Sequence, residues 1–205
     1  QSAGFTHFQV EKRRKGCPMQ SALTVSRAID GFLWVMAKIG AWCALLLVLV
    51  VTYDVTTRYL GVPKVFGLPS TMLQESEYWL HSFLIVLVVG YAYTKQSLVR
   101  IDLIRENLSD RTKYMIEVAG ILLALIPYSF LGAWLSWPYV VRSFTSGEIS
   151  KSQTGLTDLW ILKSGLIILF VLIGLAGISQ LIKSIAGLAG RLPDDMKATT
   201  IGGGH

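Results

Sequence analysis

The residues able to do chemistry in this chain sit where apolar runs begin and end. Asp54 and Arg58 close a run whose centre, Ala44–Val51, is almost entirely Leu and Val. At a spacing of four on a helix, a carboxylate and a guanidinium can neutralise each other. Glu75 and Glu77 open the next run, with Trp79 directly behind them. Acids at a helix start are favoured by the helix dipole. Only a short loop with Pro63 and Pro69 joins these two groups. A cross-helix pair from Arg58 to Glu75 or Glu77 is therefore expected, against the plainer alternative of solvated interface charges. Glu117 follows Lys113 by four residues, which predicts a local pair rather than a proton-coupling carboxylate. This is chemistry of charge pairing at a boundary, not of bond making.

The motifs of catalysis are missing from the sequence. It contains no Walker loop, G-x-G-x-x-G, H-E-x-x-H, G-x-S-x-G or C-x-x-C. Of three histidines, only His81 lies in an apolar run. Bis-His haem ligation needs two at matched depth, so His81 reads as a polar residue bonded to a neighbouring helix. No catalytic residue, cofactor or metal is expected. The sequon at Asn107 falls in a basic loop expected to face the cytoplasm, where it is not glycosylated.

The elements that must position these residues are membrane helices. The 205 residues are 52% hydrophobic and only 16% charged, against about a quarter charged in ordinary soluble domains. Cys17 in a charged tail and Cys43 in an apolar run do not make a disulfide scaffold. The spacing predicts an all-α integral membrane protein with spans over about 38–57, 77–96, 112–141 and 158–186. A soluble helix keeps a polar face, and Phe83–Val89 and Leu166–Ile173 have none. Residues 21–37, with Arg27 and Asp30, read as a half-polar helix at the membrane surface rather than a signal peptide. Pro127 is expected to kink the third span. Residues 1–20 form a disordered or appended tail, with Met19 a candidate natural start, and 188–205 a cytoplasmic tail. Small residues four apart (Gly40 and Ala44, Gly120 and Ala124, Ser129 and Ala133) are candidate points of close helix approach.

Orientation follows from Lys and Arg. The N-terminal side, the loop between spans 2 and 3 and the C-terminal side together hold fourteen; the two remaining loops hold five. Both termini are expected in the cytoplasm. Tyr53, Tyr59, Tyr78, Trp79, Trp137, Tyr139 and Trp160 then cluster near the outer boundary. The net charge of +6 is explained by this topology, and no nucleic-acid partner is expected.

Several short elements in fixed order resemble one family. They are Asp54-x-x-x-Arg58-Tyr59, Glu75-x-Glu77-x-Trp79, Gly90–Lys95, Val99-Arg100-Ile101-Asp102, Ser146-Gly147-Glu148-x-Ser150, and Gly155-Leu156 with Trp160. Over residues 28–185 the chain resembles the small membrane subunit, of the DctQ type, of tripartite ATP-independent periplasmic (TRAP) transporters. The family usually shows a His before the Val-Arg-x-Asp element, where this chain has Leu98. The resemblance implies a sodium-driven transporter of an organic acid in a bacterial inner membrane. Its partners would be a large multi-span permease subunit, a periplasmic substrate-binding protein and membrane lipids. This chain would support the large subunit and add docking surface, and would not be an enzyme. Arg58, Glu75, Glu77, Trp79, Arg100 and Asp102 are the candidate interface residues. A small proton-coupled exporter acting as a homodimer, with Asp54 or Glu117 as its carboxylate, is the alternative. A lipid-metabolising enzyme is disfavoured for lack of a His/Asp/Glu cluster.

Overall fold

The computed structural model describes residues 18–61, 63–64, 67, 69–97, 108–152, 155–197 and 200. The basic tail with Cys17, Leu98, the Val99–Asp102 element with Arg100 and Asp102, Asn107 and the closing 201–205 lie outside the described residues. Among those described there is no strand.

Helix α1 runs from Pro18 to Leu60 without a break. Proline is tolerated at a first helical position, where its missing N–H would be unpaired anyway. Gly61, with a φ of +64°, ends the helix. The half-polar segment 21–37 and the apolar segment 38–57 therefore share one helix of about 64 Å. Between them the only helix-weakening residues are Gly31 and Gly40, too little to interrupt an otherwise favourable run.

Helix α2 spans Ser70–Thr94 and α3 spans Asp110–Gly120, the latter capped by Ser109 accepting from the Thr112 amide. A π turn over Ile121–Leu125 joins α3 to α4, Ile126–Thr145. Pro127 lacks a donor, and its ring would press on the carbonyl of Leu123 in a regular helix. The π turn opens the ladder at that point. The irregularity at Pro127 is thus a π turn directly ahead of it. Helix α5 covers Leu159–Leu188 and a short α6 covers Asp194–Lys197.

Three helical stretches are long and apolar enough to cross a membrane: Met19–Leu60, Asp110–Thr145 and Leu159–Leu188. The second expected span falls on α2, which is not among them. Its first turns carry Gln74, Glu75, Ser76 and Glu77, and its last turn Tyr91, Tyr93 and Thr94. The apolar run between is well short of the roughly 20 residues a crossing needs by composition alone.

Packing centres on α5, whose buried residues include Gly165, Leu172, Ala176, Gly177 and Ala186. It runs antiparallel to α1 and α4 and parallel to α2. Small residues set the approach. A Cβ at Gly90 would lie 2.9 Å from both the Leu172 carbonyl and the Leu33 side chain. One at Gly40 would lie 2.8 Å from Val88, and one at Gly174 3.3 Å from Ser129. Two of the expected close approaches, at Gly40 and Ser129, are thus present; Gly120 meets nothing within 4 Å. Leu33, Leu172 and Ala176 form the central core, with Leu87 and Tyr91 against it.

Candidate functional site

The charged and polar side chains collect in two layers, one at each end of the bundle. One layer lies where α1 begins and α5 ends (the terminal end); the other lies where α1 ends and α5 begins (the loop end). Lys163 and Lys183 on α5 are 20 residues apart, about 30 Å along the axis, close to a bilayer's hydrocarbon thickness.

At the loop end, Asp54 is buried and accepts from both Arg58 and Lys64. Lys64 also donates to the Ser70 hydroxyl at 2.8 Å, tying the loop to the start of α2. The i,i+4 pair of Asp54 and Arg58 therefore forms as their spacing predicts. The expected pair from Arg58 to Glu75 or Glu77 does not form. With its amide oxygen turned to the guanidinium, Gln74 accepts from Arg58 at 2.9 and 3.1 Å instead. Helical geometry explains the exchange: Gln74 and Glu75 are about 100° apart around α2, so both cannot face α1.

Glu75 faces the loop between α4 and α5. Its carboxylate accepts from the Ser150 hydroxyl and, at 2.6 Å, from the Leu156 amide. A Cβ at Gly155 would lie 2.5 Å from Ser150 and 2.6 Å from the same carboxylate, so only glycine leaves room for this clasp. The loop is braced a second time by Glu148, which accepts from Lys163 and, at 2.8 Å, from the Ser143 hydroxyl. The Glu148 carbonyl takes the Leu159 amide at 3.2 Å. Hydrogen bonding from Lys163, then from Ser143, holds the Glu148 carboxyl below the usual carboxylate range. Lys163 also lies 4.2 Å from the Tyr139 ring centroid, and Phe144 meets Trp160 edge to face. Three of the short sequence elements (Glu75-x-Glu77, Ser146–Ser150 and Gly155-Leu156 with Trp160) therefore meet at one place. Glu77 keeps one buried carboxylate oxygen without a partner among the described residues. Trp79 is half-buried and His81 exposed.

The terminal end carries a network of which the sequence singles out only Glu117. Lys183, fully buried on α5, donates to Asp30 on α1 at 2.6 Å. Ser179 donates to the other Asp30 oxygen at 2.6 Å and meets Ser26 at 2.8 Å. Glu117 accepts from Gln96 at 3.4 Å and from Gln180 at 3.3 Å. Lys113 pairs with Asp110 at 3.5 Å; the local pair expected between Lys113 and Glu117 is displaced because Glu117 meets Gln96, just past the end of α2, and Gln180 on α5. The signal available beforehand was Ser179-Gln180 with Lys183-Ser184, a polar face at the end of an otherwise apolar helix. Among the described residues no group of three His, Cys, Asp or Glu could hold a metal ion.

Fold and site together define an all-helical membrane protein whose charges join helices to one another and to their loops. The family model of the DctQ component of tripartite ATP-independent periplasmic transporters matches residues 47–187, and the chain belongs to that family. The match takes in the loop-end layer from Asp54 to Lys163 and most of α5. No curated protein and no solved structure is significantly similar to it.

Proposed function

We propose that this chain is the small, non-enzymatic membrane subunit of a sodium-driven tripartite transporter. It supports a large permease subunit that imports an organic acid delivered by a periplasmic binding protein. The clasp of Glu75 on Ser150 and Leu156 carries this reading. It fixes an outward loop as a preformed surface, as a docking partner needs, and spends its polar groups on shape rather than on a transport path. The family membership supports the same class.

The chain crosses a bacterial inner membrane four times, with both termini in the cytoplasm. The fourth crossing is α2. Its ends reach the two polar layers that bound the other helices: Gln74 and Glu75 at the loop end, Lys95 and Gln96 at the terminal end. Packing against α1 and α5 compensates for its modest apolar run. Arg58, Glu75, Glu77 and Trp79 present the outer interface, and Arg100 and Asp102 contact the large subunit or lipid on the inner side. The exporter alternative loses its carboxylates: Asp54 is taken by two cations and Glu117 by Gln96 and Gln180.

Co-purification tests the assignment. The tagged chain, co-expressed with the large subunit, should retain it in mild detergent. Glu75→Gln should keep that association and reduce binding-protein-dependent uptake. Failure of the parent chain to hold any large subunit sinks the proposal; an unaffected Glu75→Gln variant removes the docking role from the loop.

A further inference from the structure

We propose that a cavity between α1 and α2 at the terminal end is a binding site for one phospholipid, seated by its phosphodiester. The cavity has a volume of about 250 Å³ and is lined by Asp30, Gly31, Trp34, Tyr91, Thr94 and Lys95. Its charge balance is positive. Asp30, the one acid in its wall, is committed to Lys183 and Ser179. Lys95 is exposed and rests 5.6 Å from the Tyr91 ring centroid. Lys38 is exposed and rests 3.7 Å from the ring centroid of Trp34, which lines the cavity. Neither ammonium makes an ion pair among the described residues. Lys95 in the wall, beside a neutralised acid, suits an anion, and Lys38, one turn beyond Trp34 on α1, adds positive charge on the same side.

Depth and shape favour a lipid as its source. Lys38 opens the long apolar stretch of α1, and Lys95 closes α2. Lysines and ringed side chains at such boundaries reach toward headgroups. Trp34, Lys38 and Trp42 follow one another at intervals of four, on one face of α1, and all are exposed. Leu45 and Leu46 continue that face as exposed apolar residues. An acyl chain has a track leading away from the cavity toward mid-membrane, which a soluble phosphate would not use. The inference needs the helices to lie in a bilayer and is independent of which subunits the chain joins.

Native mass spectrometry of the full chain in detergent tests it, with phosphatidylglycerol as the probe. A juxtamembrane lysine near an anionic surface contributes enough that its loss weakens binding about fivefold. One phosphatidylglycerol should bind per chain, about fivefold more weakly in Lys95→Ala and more weakly still in Lys38→Ala/Lys95→Ala. Lys151→Ala, at the other end, should match the parent. Gly31→Phe keeps both lysines; since a Cβ at Gly31 meets nothing within 4 Å, the ring can enter the cavity mouth, and lipid binding should be lost. Diacylglycerol and millimolar inorganic phosphate should not displace the lipid. Parent-like binding by both the double lysine variant and Gly31→Phe overturns the site. Displacement by diacylglycerol overturns the phosphodiester, and displacement by inorganic phosphate overturns the lipid.

Discussion

Removing Asp30 should damage this protein more than removing its partner Lys183. The two groups share one ion pair but not one environment: the Lys183 side chain is 1% exposed and that of Asp30 is 28% exposed. In Asp30→Asn a full ammonium stays buried without its anion. Stranding a buried charge in this way costs about 3–5 kcal/mol. In Lys183→Met the carboxylate remains, but it keeps the 2.6 Å hydrogen bond from Ser179 and an edge open to solvent. Methionine also refills much of the lysine stem's volume. The cost there is about 1–2 kcal/mol, the scale of one unmade hydrogen bond to a charged group. The double variant removes both charges and should recover most of the larger loss. For a chain of this size each kcal/mol moves the melting point by about 2–4 °C. Thermal unfolding in detergent, followed by tryptophan fluorescence, should therefore show Asp30→Asn about 10 °C below the parent and Lys183→Met about 4 °C below it. A larger loss in Lys183→Met, or no recovery in the double variant, refutes the claim that Lys183 is a desolvated cation held by Asp30.

Other outcomes follow from the loop-end layer. Asp54→Asn strands Lys64, whose side chain is 11% exposed, and should lose about 2–4 kcal/mol in the same melts. Arg58→Ala, removing a half-exposed partner, should lose only about 0–1 kcal/mol. Glu148 titrates below an ordinary glutamate. Its contribution is complete above about pH 4.3 and is lost as pH falls through its lowered value. Limited proteolysis of the 146–158 loop should accelerate in acid, and Glu148→Gln should be cut readily at neutral pH with little further change on acidification. Reporter fusions at Lys64 and Lys151 should read periplasmic and one at Asn107 cytoplasmic; the reverse pattern defeats the orientation.

Contacts within one helix were legible in the sequence, and contacts between helices mostly were not. The pairing of Asp54 with Arg58 follows from a spacing of four, and the structure has it. Glu75 is legible as a polar residue ahead of an apolar run, but it lies in the second turn of α2 rather than at its start, and its partner is not legible. Which neighbour it meets depends on the rotation of α2 about its axis, and neither the apolar run nor the loop length encodes that rotation. Glu117 failed the same way: a local partner was available, yet packing offered Gln96 and Gln180. The boundary between the half-polar segment 21–37 and the apolar segment 38–57 rests on a change in polarity. Polarity marks where a helix meets an interface, not where its backbone stops, and α1 continues through it. Lys183 escaped notice because a lysine near a helix end reads as a solvated charge; only the arrival of α1 buries it.

Uptake into proteoliposomes separates a supporting subunit from a transporter. The large subunit, this chain and the binding protein are reconstituted with labelled organic acid and an inward sodium gradient. All three together should accumulate substrate; omission of this chain should abolish accumulation, and this chain alone should transport nothing. Sodium-driven uptake by this chain alone, or undiminished uptake in its absence, would contradict the account.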